Sequence, residues 1–175
     1  MRIISGSHKG RKIIVPKNLP IRPTTDRSKE GLFNILHHSV EINSISVLDL
    51  FSGAGNISYE FASRGAQRIT SVDQNRFCVK FIQKTIQELG FNISVIKAES
   101  LSFLEKNKTK YDLIFADPPY NWNEIVYKKL VLLSQKLLND NGIVILEHNK
   151  FLNSSNFEGF DFSRAYGDSV FSFFK

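Results

Sequence analysis

The chain has 175 residues, 42% of them apolar, enough for one sizeable core but too few for two full domains and a linker. Its single cysteine, Cys78, excludes an internal disulfide, and no Cys/His pair falls at metal-ligand spacing. No apolar run reaches the roughly 18 residues a membrane helix needs, and MRIISGSHKGRK has no apolar stretch of an export signal, so a soluble cytoplasmic protein is expected. The net charge of +6 is concentrated. Residues 1–30 carry eight basic side chains (Arg2, Lys9, Arg11, Lys12, Lys17, Arg22, Arg27, Lys29) against Asp26 and Glu30, while the rest of the chain carries fifteen of each sign. A basic segment beside a neutral body is the footprint of a phosphate-backbone contact, although a solvated charged face has the same composition.

Two short β-like runs, Arg2–Ser5 and Lys12–Val15, flank GSHKGR, and Gly6 and Gly10 supply turn positions, so the chain opens on a predicted hairpin. The following PKNLPIRPTT holds three prolines and must run extended or looped. A helix is predicted from Asp26 to Val40, capped by Thr25 or Asp26, with Leu32, Phe33, Leu36 and Val40 as its apolar stripe. Asp26 can alternatively pair with Arg22 or Lys29. Strands are then expected at Ser46–Leu50, Arg68–Val72, Ser94–Lys97, Leu113–Ala116 and Ile143–Leu146, with helices at Gly55–Arg64, Arg76–Leu89, Ser100–Lys106 and Glu124–Leu138. This alternation predicts an α/β fold with a parallel sheet covered on both faces. FEGFDFSRAYGDSVFSFF reads as an antiparallel hairpin turning at Gly167-Asp168 and closing the sheet edge.

VLDLFSGAG, Val47 to Gly55, is a buried strand running into a glycine loop that opens a helix. In open α/β sheets the ligand lies beyond the carboxyl ends of the strands, where their order reverses. Gly53 and Gly55 allow a close backbone approach, or form only a tight turn. A dinucleotide fingerprint would place a third glycine at position 58, which is Ser58. Asp49 would repel a pyrophosphate but suits a cationic amino group, favouring a ligand with an amine and a sulfonium. Asp73, twenty residues after Gly53, is placed to accept hydrogen bonds from ribose hydroxyls. Glu99 fits either an adenine amine or a helix N-cap, with equal weight.

Asp117-Pro118-Pro119-Tyr120 follows the apolar strand LIFA. Two prolines remove two backbone donors, leaving the Pro118 carbonyl and the Asp117 carboxylate as acceptors that match the two hydrogens of an exocyclic amine. Tyr120 adds a face on which a base can stack; in isolation Pro-Pro-Tyr also reads as a stiffened strand exit with a core tyrosine. Trp122 either covers the pocket or packs. The histidines are not required: His8 is placed at the surface, His37 and His38 point to different sides of one helix, and His148 follows the fifth strand.

VLDLFSGAG, Asp73 and DPPY together resemble the successive motifs of class I S-adenosylmethionine methyltransferases acting on exocyclic amino nitrogens. More narrowly, MRIISGSHKGRKI, RPTTDRSKEGLFNIL, LFSGAG followed by SRGA, and SLSFL resemble the 16S ribosomal RNA guanine-N2 methyltransferase family over nearly the whole chain. Asn56, Ile57 and Gly31 depart from the expected pattern. The resemblance implies a Rossmann-like class I methyltransferase domain at 26–175, with a mostly parallel seven-stranded sheet, an antiparallel C-terminal hairpin, and a small N-terminal β-hairpin extension at 1–25 that grips RNA. It implies methyl transfer from S-adenosylmethionine, without a metal, to guanine N2 of 16S rRNA in a partly assembled small subunit, by a monomer. Expected site residues are Asp117, Pro118 and Tyr120 for catalysis; Asp49, Phe51, Gly53, Gly55, Asp73, Gln74, Glu99, Ser100 and Asp117 for the cofactor; and Arg2, Lys9, Arg11, Lys12, Arg22 and Arg27 for RNA. An adenine-N6 enzyme would use the same tetrapeptide, and a glutamine-N5 protein methyltransferase would more often carry Asn at position 117. A non-catalytic RNA-binding module leaves DPPY without a purpose, and a nicotinamide oxidoreductase predicts glycine at 58.

Overall fold

The computed structural model describes residues 1–19, 21 and 25–175. Helix α1 (Asp26–Ser39) is followed by a short 3-10 turn (Ile42–Ser44), β1 (Ser46–Leu50), α2 (Asn56–Ser63), β2 (Arg68–Asp73), α3 (Arg76–Leu89) and β3 (Ile93–Lys97). Then come α4 (Ser100–Lys106), β4 (Tyr111–Ala116), α5 (Glu124–Gln135), β5 (Leu138–Asn149), β6 (Phe160–Tyr166) and β7 (Ser169–Phe174). The seven strands form one sheet in the order β3-β2-β1-β4-β5-β7-β6. β1 to β5 are parallel, and β6 turns through Gly167 into β7, which joins β5 antiparallel. The order reverses between β1 and β4, which opens a crevice at their carboxyl ends.

Side chains alternate between the two faces of the central strands. Val47, Ile69, Leu113, Phe115 and Ile145 join Leu32, Phe33, Leu36, Ile57 and Phe61 of α1 and α2 in one cluster. Leu48, Leu50, Ile114, Ala116, Val144 and Leu146 pack with Leu104, Tyr127, Leu130 and Val131 of α4 and α5 in the other. Both faces are therefore covered, as a parallel sheet requires.

Several boundaries differ from the sequence reading. The opening hairpin has the expected reversal but no full strands: Arg2 and Lys12 form an isolated antiparallel bridge, flanked by Ile3 N–H to Arg11 O (3.0 Å) and Ile13 N–H to Met1 O (3.0 Å). Ile3 and Ile13 are buried in the α1/α2 cluster. Gly6, at φ +83°, lies so close to α2 that a Cβ would overlap the Ser63 carbonyl, while Ser7 N–H donates to that same oxygen at 2.7 Å. Helix α5 ends at Gln135 rather than Leu138, because Tyr111 N–H takes the Leu137 carbonyl (2.8 Å) and Leu138 starts β5 opposite Tyr111. The Asn-Asp-Asn-Gly run between the predicted helix and the predicted strand at Ile143 is a bulge inside β5, with Asn141 at φ +62° and Asn139 Nδ2 donating to Asp112 Oδ1 at 2.7 Å. β5 extends through His148 to Asn149, so that histidine is inside the strand, not after it; it is buried and bonded to Ser172 Oγ at 2.7 Å. Gly31 is explained by packing, since a Cβ there would lie 2.1 Å from the Tyr166 ring of β6.

Candidate active site

β1 ends on a strained turn. Phe51 has φ +58°, a conformation that costs a side-chain-bearing residue energy and concentrates at functional sites. Its ring meets Trp122 edge-on at 5.4 Å between centroids, and Trp122 in turn packs on Tyr127 at 6.0 Å. Trp122 is therefore half-buried packing beside the crevice. Gly55 takes φ +82° as the N-cap of α2, where a Cβ would strike the Tyr59 ring.

The crevice divides into two adjoining clefts that share Ile21, Phe51 and Asp117. One, of about 510 Å³, is lined by Asp73, Gln74, Asn75, Cys78 and the Pro118–Tyr120 segment. The other, of about 530 Å³, is lined by Asp49, Ser52, Ala54, Ile57 and Phe115, with Val15 to Lys17, Thr25 and Asp26 forming its N-terminal wall. Asp117, directly after β4, is exposed to both. Asp49, Phe51, Asp73, Gln74, Asp117, Pro118 and Tyr120 are thus brought together, with Gly53 and Gly55 in the loop between them. Glu99 and Ser100 line neither cleft. Glu99 caps α4, its two oxygens accepting Leu101 N–H (3.0 Å) and Ser102 N–H (2.7 Å), and Ser100 is buried behind it.

Two carboxylates are held by the backbone. Asp73 accepts Gly53 N–H at 2.8 Å and Asn75 N–H at 2.7 Å; burial raises its pKa and these two bonds oppose the rise. One bond on each oxygen leaves further acceptor capacity toward the cleft. Asp49 is almost wholly buried, and Ser58 donates to its Oδ2 from both N–H (3.1 Å) and Oγ–H (2.5 Å). Burial nonetheless pushes the Asp49 carboxyl up to about 7. Ser58 was legible in the sequence only as a missing glycine, yet the hydroxyl that a glycine would lack is what holds Asp49. Tyr127 was not anticipated at all: its hydroxyl donates to the Pro119 carbonyl at 3.2 Å, and burial, helped by the charge of Asp117, pushes its pKa up to about 12. Trp122 N–H also takes the Pro119 carbonyl, at 3.3 Å. The Tyr120 hydroxyl lies 3.3 Å from Ser169 Oγ and 3.5 Å from Glu147 Oε1, and its carbonyl accepts Asn149 Nδ2–H at 3.3 Å. The DPPY segment is therefore fixed from α5, β5 and β7.

Of the basic candidates, Lys9, Arg11, Lys12 and Arg27 are exposed on the hairpin and the start of α1, while Arg22 lies outside the described residues. Arg2 is half exposed and pairs with Asp26 (3.5 Å) and Glu30 (3.7 Å), so Asp26 meets Arg2 and leaves the α1 cap to Thr25. Lys17, not anticipated, lines the second cleft. Lys29 contributes to the count of basic residues but not to the surface. It is fully buried, 3.3 Å from Glu60, and donates to Arg2 O (2.7 Å) and Asn56 Oδ1 (2.8 Å), which accounts for Asn56. Glu60 also accepts Ile4 N–H (2.8 Å), Ser5 N–H (3.0 Å) and Arg64 Nε–H (2.9 Å). This buried knot clamps the hairpin and α1 to α2, beside the N-terminal wall of the second cleft.

Comparison with known proteins gives this arrangement its context. A protein of Buchnera aphidicola subsp. Acyrthosiphon pisum named Ribosomal RNA small subunit methyltransferase D is 38% identical over 152 residues, spanning 85% of this chain and 78% of that one. The solved structure of a putative methyltransferase of Escherichia coli superposes with a TM-score of 0.84 at 28% identity, covering 99% of this chain and 96% of the other. A Thermus thermophilus 16S rRNA N2 methyltransferase, in complex with AdoMet and guanosine, shares the fold at a TM-score of 0.71 and 19% identity, over 87% of this chain and 43% of that one. The family model described as conserved hypothetical protein 95 matches residues 1–175, and the chain belongs to that family, together with the relatives named Ribosomal RNA small subunit methyltransferase D.

Proposed function

We propose that this chain is an S-adenosylmethionine-dependent methyltransferase that modifies guanine N2 of 16S rRNA, working in the cytoplasm as a monomer on a partly assembled small subunit. The observation that carries the reading is Asp117, set by a locked DPPY segment at the junction of two clefts of comparable size. Residues 1–25 would be the RNA-gripping extension and 26–175 the transferase body. The donor set fits the cofactor. Asp73 presents free acceptor capacity for ribose hydroxyls in one cleft, Asp49 presents a carboxylate for an ammonium in the other, and the apolar Phe51 and Ile21 lie between them. Gln74 stands beside Asp73, whereas Glu99, as the α4 cap, and the buried Ser100 lie outside both clefts.

Bound S-adenosylmethionine supplies an already activated methyl group, so the protein's main contribution is alignment. The guanine N2 lone pair is delocalised into the ring. By accepting the two amine hydrogens, the Asp117 carboxylate and the Pro118 carbonyl would favour a pyramidal nitrogen whose lone pair points along the transfer axis. Asp117 would then stabilise the positive charge that develops on that nitrogen, which returns to neutrality by releasing a proton to solvent, with S-adenosylhomocysteine as the other product. Tyr127 and Trp122, by taking the Pro119 carbonyl, hold the segment so that the Pro118 carbonyl keeps its direction. The target base must leave its stack, and Tyr120 would replace the lost stacking. Lys9, Arg11, Lys12 and Arg27, with Arg2 and Arg22, would contact phosphates and set register.

The test supplies methyl-labelled S-adenosylmethionine and small subunits from cells lacking this gene, digests the RNA to nucleosides and identifies the product, with Asp117→Ala in parallel. Label in N2-methylguanosine, lost in the variant, is expected. Label in N6-methyladenosine, or no label in RNA, would overturn the reading.

A further inference from the structure

Five large apolar side chains stand exposed among the described residues, and Phe151, at 85% exposure, is the aromatic one that projects furthest. A lone exposed apolar residue is ordinary. Phe151 differs in its position and in how it is held. β5 runs parallel to β4, so the turn that follows Asn149 emerges on the same sheet edge as Asp117 to Tyr120. The Asn149 side chain fixes that turn, its Oδ1 accepting Phe151 N–H at 2.9 Å and Leu152 N–H at 3.2 Å, while its Nδ2 donates to the Tyr120 carbonyl at 3.3 Å. One asparagine therefore sets both the exposed ring and the segment lining the crevice.

The surroundings indicate what the ring would meet. Lys150 Nζ lies 5.7 Å from the Phe151 ring centroid and 3.2 Å from Asp168, an exposed pair that holds the lysine only weakly. Of its chain neighbours, Leu152 packs against the core while Asn149, Lys150, Asn153, Ser155 and Asn156 are polar, so the ring stands as an aromatic face in a polar stretch and not in an apolar run. An aromatic face with an adjacent cation matches the base and phosphate of one nucleotide.

We propose that Phe151 is a stacking platform for an unpaired base next to the nucleotide being modified, with Lys150 on the phosphate of that base. The proposal rests on the RNA methyltransferase reading above. It is tested with Phe151→Ala, Phe151→Leu and Phe151→Trp, measuring retention of unmodified small-subunit RNA on filters over a salt series, S-adenosylmethionine binding, and methyl transfer. Alanine and leucine are expected to weaken RNA binding by about 5- to 150-fold, tryptophan to preserve it, and cofactor binding to stay unchanged. The salt dependence should keep its slope, because no phosphate contact is removed. RNA binding by the alanine variant equal to wild type, or full binding by the leucine variant, overturns the proposal. Wild-type protein that binds RNA through Phe151 but transfers no methyl group would refute the methyltransferase reading and leave the platform standing. Methyl transfer with RNA binding indifferent to Phe151 would do the reverse.

Discussion

Glu60→Gln tests the buried knot that clamps the N-terminal hairpin. In the structure the Lys29 and Glu60 side chains are both fully excluded from solvent, and the Glu60 carboxylate serves Lys29, Arg64 and the N–H groups of Ile4 and Ser5. Burial already holds the Lys29 pKa below its ordinary value, although the charge of Glu60 pulls it upward. Glutamine keeps the shape but removes the negative charge, and its NH2 must face either the ammonium or a backbone donor. Removing one partner of a buried pair costs about 3–5 kcal/mol, because the remaining charge is stranded. For a chain of this length that is a fall of roughly 6–20 °C in melting temperature. Urea unfolding followed by far-UV circular dichroism measures the loss, with Lys29→Met/Glu60→Gln as the partner variant. Removing the stranded ammonium should return roughly 0.5–3 kcal/mol of the deficit. A loss below about 1 kcal/mol in the single variant, the range of exposed pairs, would refute the claim that the knot is dry.

Three further outcomes are expected. An unfolded aspartate releases its proton near pH 4 (about 3.9), whereas folded Asp49 does so at about 7. The unfolded state then binds fewer protons over that window, so ligand-free stability should fall as pH rises through it; Asp49→Asn should flatten the profile, and denaturation curves at several pH values would show a persistent slope if Asp49 were not responsible. By the same linkage, S-adenosylmethionine affinity should strengthen as pH rises through about 7 in wild type and not in that variant, as calorimetric titration would report. Gly31→Ala should destabilise the protein by about 1–3 kcal/mol through overpacking against the Tyr166 ring, outweighing the ~1 kcal/mol gain in helix propensity; an increase in the urea midpoint would contradict it.

Helix α3 shows why much of this fold is readable without coordinates. Asn75 accepts the first N–H groups, Gly90 ends the helix at φ +67°, and the apolar stripe between them faces the sheet, so local chemistry and burial agree. The stretch Asn139 to Gly142 shows where that agreement fails, since residues typical of a turn are spent on a bulge that lets β5 regain its register with β4. The site follows the same division. Asp49 and Asp117 were identifiable because they sit at strand exits beside a glycine loop and a double proline, and Asp73 because it ends the second strand twenty residues after Gly53. Ser58 and Tyr127 act through contacts that no local pattern encodes. Lys29 was misleading for a related reason: its charge is visible in the sequence, but its partner is on another helix, and only packing reveals that it faces inward.

The contact between Gly31 and Tyr166 joins the first helix to the sixth strand. Helix α1 meets the wall of the second cleft at its first residue, Asp26, yet its packing surface is completed only by a strand made near the end of the chain. Loop closure over that separation is entropically costly, so the Gly31 face of α1 should be among the late surfaces to pack during folding. A ribosome-bound fragment ending before β6 would have α1 clamped to α2 by the Lys29–Glu60 pair but would lack both the Tyr166 contact with α1 and the Ser169 contact with Tyr120. The chain's topology thus delays full support of the first helix and of the DPPY segment until nearly the whole chain has been made.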